Sequence, residues 1–262
     1  MGMNTIVYFG NSHLLALRRR CLEVDPASAY GVQAKFFLAL QGFYERPWRI
    51  EDNRFVWDEA LTRDMSAAIT GDEVPFIVTS LFNNMWSIRA TFDNAVPYDF
   101  FLEDCEAPAD DLPREIIPLS LMRSLARLEL DSIRMWFEFV RSLTDKPIYE
   151  LIGPPPVDLG ANRYGPTRHF GDGASEQIEK FGIMPPLLRK KHWLLFMRET
   201  TKLCGELGVA TLTPPANTMD SEGNLLVSME SGDSLHANPL YGHRVLESVA
   251  NIAHTFQQSR SG

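Results

Sequence analysis

Ile6-Val7-Tyr8-Phe9-Gly10-Asn11-Ser12-His13-Leu14-Leu15-Ala16-Leu17 is the stretch on which the reading of this 262-residue chain turns. Its first four residues are β-branched and aromatic, as a buried strand requires. Gly10 ends the run, and Leu14 and Leu17 begin a helical stripe. Strand, tight turn and helix together present a side chain at the C-terminal edge of a parallel sheet, with backbone N–H groups aimed at the same point. The residue so presented is Ser12. Serine also caps helices well, so at this point Ser12 is either a cap or a nucleophile.

The rest of the chain repeats the pattern. After a helix over about residues 12–23 and a break at Asp25-Pro26, residues 34–40 form a second strand, with helix as the alternative because Ala, Lys and Leu favour it. Residues 43–72 are irregular around Pro47 and Trp48, then helical from Trp57 to Ile69. Residues 75–81 carry a nearly continuous apolar run and predict a central strand. Residues 93–113 predict an acidic, proline-containing loop. Residues 112–143 predict the longest helix, 146–152 a strand, 184–206 a helix and 208–213 the last strand. Asn238-Pro239 then opens a final amphipathic helix with Val245, Val249, Ile252 and Phe256 on one face, and a frayed tail from Gln257. No element is predicted for residues 157–177. This alternation predicts an α/β fold: three α/β/α layers around a central, mostly parallel five-stranded sheet. A single domain over residues 1–262 is expected, with insertions around 43–72, 87–112 and 157–183.

Composition narrows the function. The formal net charge is −9, and a phosphate backbone needs a basic face, so no nucleic-acid partner is expected. Arg18-Arg19-Arg20 and Arg189-Lys190-Lys191 are short runs in helical patterns and read as solvated helix faces. No window approaches the ~18–20 apolar residues that span a bilayer, so no membrane partner is expected. The N-terminus has no signal-peptide pattern, and cytoplasmic localisation is the expectation. Cys21, Cys105 and Cys204 are the only cysteines; their spacings suggest neither disulfides nor a zinc site, and Cys21 falls on the apolar stripe as a buried thiol. His169 and His192 stand alone, so no metal site and no organic cofactor is expected. Oligomeric state is not legible.

A serine hydroxyl needs a base within hydrogen-bond reach to become a nucleophile. The far end of the chain offers one in Gly232-Asp233-Ser234-Leu235-His236-Ala237-Asn238. Asp233 and His236 stand three residues apart in a predicted loop before the last helix, a spacing that lets the carboxylate orient the imidazole while its other nitrogen reaches a serine.

Gly10-Asn11-Ser12-His13, together with Asp233-Ser234-Leu235-His236-Ala237-Asn238 through Tyr241-Gly242-His243, resembles the SGNH (GDSL-type) hydrolase family. Asn11 stands where that family more often has aspartate. The resemblance implies a flavodoxin-like sheet and a serine esterase acting through an acyl-enzyme on Ser12, with His236 as base and Asp233 as its orienter. Its oxyanion hole would be the Ser12 N–H, a glycine and an asparagine. Gly42, after the second strand, is the candidate glycine. The asparagine block, Gly-x-Asn-Asp in the family, here reads Leu81-Phe82-Asn83-Asn84-Met85; either asparagine aligns, and Asn84 is preferred over Asn83. Gly232-Asp233-Ser234-Leu235 spells the family's name at the wrong end: no Asp-x-x-His follows Ser234. His13 either faces the site or caps the helix. Trp86, with Tyr44 and Trp48, follows a predicted strand end and is a candidate for lining a sugar or acyl pocket. The expected substrate is an O-acetyl or other short-acyl ester of a carbohydrate or small molecule. An acyltransferase using the same residues, or a non-catalytic binding module, is the alternative.

Overall fold

A computed structural model describes residues 3–40, 43–44, 47–52, 54–82, 89–159, 172–232 and 235–259. Five strands form one parallel sheet: β1 (Asn4–Gly10), β2 (Val32–Leu38), β5 (Ile77–Ser80), β8 (Ile148–Leu151) and β9 (Ala210–Leu212), in the order β2-β1-β5-β8-β9. Between them lie the hairpin β3 (Trp48–Glu51) and β4 (Arg54–Trp57) and the short pair β6 (Tyr98–Asp99) and β7 (Glu115–Ile116). The order is that of a doubly wound sheet whose direction of winding reverses between β1 and β5, and ligands bind outside the strand ends at such a reversal. Ser12 follows β1 there.

Side-chain alternation splits the core into two layers. Ile6, Tyr8, Phe76 and Val78 face α1 (Leu14–Glu23), α2 (Pro26–Tyr30) and the last helix, α7 (Pro239–Ser259). Val7, Phe9 and Ile77 face α3 (Glu59–Ile69), α4 (Leu119–Leu143) and α6 (Pro186–Glu206). The expected three-layer α/β/α architecture is the observed one, and the segment read over residues 34–40 is strand rather than helix, running over Val32–Leu38. Both Phe36 and Phe37 find aromatic or apolar partners in the sheet, which outweighs the helical propensity of their neighbours.

Several local expectations differ. The break at Asp25-Pro26 opens α2 instead of ending structure: the Asp25 carboxylate accepts from the N–H groups of Ala27 and Ser28, and Pro26 sits where no N–H is needed. The long helix starts at Leu119, not 112, because Pro118 fixes the entry and residues 115–116 pair as β7. Residues 48–57 form a hairpin turning at Asp52, whose φ of 48° aspartate tolerates. The helix α5 (Asp172–Phe181) enters a region read as structureless, and α7 runs on to Ser259.

The run Arg189-Lys190-Lys191 is the largest correction. Arg189 and Lys191 are buried, not solvated. Lys191 Nζ, fully enclosed, lies 2.9 and 3.1 Å from the two carboxylate oxygens of Asp99, which also accepts from the N–H groups of Phe100 and Ala109. Arg189 donates to the Val157 carbonyl at 2.6 Å, and burial holds its pKa down to about 10. A buried ammonium is tolerated only when paired and hydrogen-bonded in this way. Arg114, its side chain nearly enclosed, bridges Asp93 and Asp110 within the excursion over residues 93–118, while the Lys191–Asp99 pair fastens that excursion to α6; helical periodicity cannot reveal either set of charges.

Candidate active site

Gly10 brings β1 hard against β5. A Cβ there would sit 2.3 Å from the Ser80 carbonyl oxygen, so only glycine permits the Asn11 N–H to donate to that oxygen at 3.1 Å. The chain then turns. The Asn11 side chain holds the turn twice: Oδ1 accepts the His13 N–H at 3.2 Å, and Nδ2 donates to the Phe82 carbonyl at 3.1 Å. Asparagine supplies both a donor and an acceptor, where aspartate would offer acceptors alone.

Ser12 is not the helix cap. The residue at the cap position is His13, and its side chain makes no capping hydrogen bond. Its ring lies instead beside the His236 ring, with centroids 5.5 Å apart.

His236 arrives from the other end of the chain. Its loop is pinned by Ser231 N–H to the His236 carbonyl at 3.1 Å and by Asn238 N–H to the Met229 carbonyl at 2.8 Å. Asn238 Nδ2 ties back to the carbonyls of Ser228 and Glu230, while its Oδ1 accepts from Leu240 and Tyr241 and so caps α7. The cap expected at Asn238-Pro239 is present. Gly242 then lets α7 touch α1: a Cβ there would fall 2.4 Å from the Ala16 carbonyl oxygen. The helix carrying the serine turn and the helix behind the histidine loop are thus in direct backbone contact. The result is a hydrogen bond of 2.8 Å between His236 Nε2 and Ser12 Oγ, across 224 residues of sequence. Both residues are partly exposed, so a ligand can reach them from solvent.

A buried acid completes the described surroundings. Glu150, on β8, accepts from the N–H groups of Leu81 and Phe82 at 2.7 and 2.8 Å and from Thr79 Oγ1 at 2.6 Å. With Asn11 on its carbonyl, the Phe82 peptide is gripped from both sides just before Asn83. Burial raises the Glu150 pKa to about 7, against the lowering effect of its three donors. A carboxyl with a raised folded pKa favours the folded state below its ordinary pKa and loses that contribution as pH climbs through 7. Glu150→Gln, which keeps the shape and does not titrate, is therefore expected to gain thermal stability relative to the parent as pH rises from 5 to 8. Parallel melting curves that leave the difference constant over that range would refute the assignment. A lone glutamate inside Ile148-Tyr149-Glu150-Leu151-Ile152 was the available signal for this residue, and periodicity alone gave it no role.

Asp233, Gly42, Asn83, Asn84 and Trp86, together with the decoy Ser234, lie outside the described residues. Of the remaining candidate aromatics, Tyr44 packs against the core and Trp48 stands on the hairpin. His192 is buried among Tyr98 and Phe100, with Nε2 2.9 Å from the Tyr98 hydroxyl, and burial lowers its pKa to about 3. The Cys21 thiol is half-buried and pushed up to about 11 by burial, so it is not a thiolate nucleophile at neutral pH. Among the described residues no cluster of three or more His, Cys, Asp and Glu could hold a metal ion, and no helix is long and apolar enough to cross a membrane.

No family model matches the sequence, and no curated protein does. In structure the chain is similar to GDSL-type and related hydrolases over nearly its whole length. A GDSL-like lipase from Bacteroides thetaiotaomicron VPI-5482 aligns at 9% identity and a TM-score of 0.46, covering 98% of this chain and 89% of that one. An extracellular lipase from Streptomyces rimosus aligns at 9% and 0.47, covering 95% and 99%. A carbohydrate acetylesterase from Sinorhizobium meliloti aligns at 8% and 0.43, covering 96% and 99%.

Proposed function

We propose that this protein, as one domain, is a serine hydrolase of carboxylic esters, and that the acyl group transferred to it is an acetyl or another short chain carried by a small molecule or a carbohydrate. The observation that carries the reading is the 2.8 Å hydrogen bond between His236 Nε2 and Ser12 Oγ. Two residues so far apart in sequence meet at the switch point of the sheet in the geometry that nucleophilic catalysis needs.

In this reading Ser12 Oγ attacks the ester carbonyl carbon while its proton passes to His236 Nε2. The tetrahedral oxyanion is held by the Ser12 N–H, Gly42 and Asn84, with Asn83 as the alternative donor. On collapse, the C–O bond to the alcohol breaks and the alcohol leaves with the proton from Nε2. Water then attacks the acyl-enzyme, losing its proton to His236, and the carboxylic acid departs as Ser12 regains a proton. Asp233 keeps the imidazole in the tautomer whose Nε2 is the acceptor.

A fluorophosphonate probe tests the reading directly. It should label the folded protein at Ser12, as located by peptide mapping, and should leave Ser12→Ala unlabelled. Labelling at Ser234, or none at all, would reject it.

A further inference from the structure

Beside the serine turn lies a cavity of about 300 Å³ lined by Asn11, Trp48, Phe55, Leu81, Glu129, Ser132, Ile133 and Trp136. Asn11 follows β1 and Leu81 follows β5, so the cavity opens at the same sheet edge as Ser12. Its far wall is the hairpin. The pairings Trp48 with Trp57 and Ile50 with Phe55 put all four of these apolar side chains on one face. Trp48 stacks on Phe55 at 5.0 Å, and Trp136 of α4 meets Trp48 at 6.4 Å edge to face. Trp48 nonetheless remains 39% exposed.

The polar groups in the lining decide what fits. Asn11 is engaged at both ends by Phe82 and His13. Ser132 Oγ donates to the Glu129 carbonyl at 2.9 Å, and the Glu129 carboxylate is paired with Arg89. Most of the lining is apolar, contributed by Trp48, Phe55, Leu81, Ile133 and Trp136, so a sugar ring would place most of its hydroxyls against groups that cannot hydrogen-bond them. A hydrocarbon brings none. We propose that the cavity is the substrate subsite for an aliphatic or aromatic hydrocarbon portion of the ester, joined to the carbonyl on its acyl or its alcohol side, and that Trp48 is its specificity-determining residue. The proposal rests on the assignment of Ser12 as nucleophile for the direction in which the ester is oriented, and within that proposed function it favours an ester with a hydrocarbon portion over a bare sugar acetate.

The test compares kcat/KM along methyl alkanoates from acetate to octanoate, along alkyl acetates from methyl to octyl, and for an acetylated glucose. One hydrocarbon series should climb by roughly fourfold per methylene until the cavity is filled, and the series that climbs identifies the side of the carbonyl. Trp48→Ala should flatten that climb. Flat responses in both series, or an acetylated glucose turned over faster than every octyl ester, would overturn the proposal. Binding of methyl octanoate to Ser12→Ala, followed by tryptophan fluorescence, separates this inference from the catalytic one. Binding at least tenfold tighter than methyl acetate upholds the cavity even if the parent protein turns nothing over, an outcome that would sink only the catalytic reading. Equal binding of the two esters overturns the cavity whatever Ser12 does.

Discussion

Ser12→Ala is expected to lower kcat for a nitrophenyl acetate by ~10⁴–10⁶-fold, and His236→Ala by a similar factor. The two effects should not add. A base with no hydroxyl to activate, and a hydroxyl with no base, fail at the same step, so the double variant should be about as slow as either single one. Unchanged folding, checked by circular dichroism, is part of the expectation, because Ser12 and His236 are only partly buried and both lie outside helices and strands. A residual rate within tenfold of the parent would reject the acyl-enzyme. A fully additive double variant would show that the 2.8 Å contact has no catalytic meaning.

The second large effect is on stability and lies away from the site. Lys191→Ala leaves Asp99 as a buried carboxylate facing the two backbone N–H groups alone, with its counter-ion gone. Removing one partner of a buried pair typically costs about 3–5 kcal/mol. For a chain of this size that corresponds to roughly 10 °C in Tm. The pair itself need not be strongly stabilising, because two charges were taken from water to make it. Lys191→Met with Asp99→Asn should accordingly be milder than Lys191→Ala alone, the asparagine retaining acceptor capacity for one of the N–H groups. A melting curve for Lys191→Ala that shifts by less than about 2 °C would refute the account.

What the sequence disclosed follows from which forces are periodic. Apolar runs ending in Gly10, Leu81 and Gly153 betrayed β1, β5 and β8, the three central strands, because burial on both faces leaves a continuous signal. The helix at Asn238-Pro239 was legible because its cap is local chemistry. The Ser12 and His236 segments could be singled out for the same reason, each being a short block with a recognisable composition. What brings them together was not legible. Gly242 is an ordinary helix residue until α1 is seen behind it, and Asn11 is an ordinary turn residue until the Phe82 carbonyl is in view. The Arg189-Lys190-Lys191 run misled because a buried cation and a solvated one have the same periodicity; only the distant Asp99 distinguishes them. The hairpin was missed for a simpler reason. Its alternation, Trp48 and Ile50 then Phe55 and Trp57, is just four residues long on each side of Asp52-Asn53, and the helix that follows blurred it.

The contact of Gly242 with Ala16 also has a consequence in time. Ribosomes deliver residues in order, and at ordinary synthesis rates the 224 positions between Ser12 and His236 take on the order of ten to forty seconds to appear. Through all of that interval the nascent polypeptide carries its serine with nothing to draw off the proton. In the proposed mechanism, the hydroxyl acquires its base only when α7 has emerged and settled against α1. Reactivity toward a fluorophosphonate is therefore a clock for the final docking event, and translation arrested at any codon before His236 should yield ribosome-bound chains that the probe passes over.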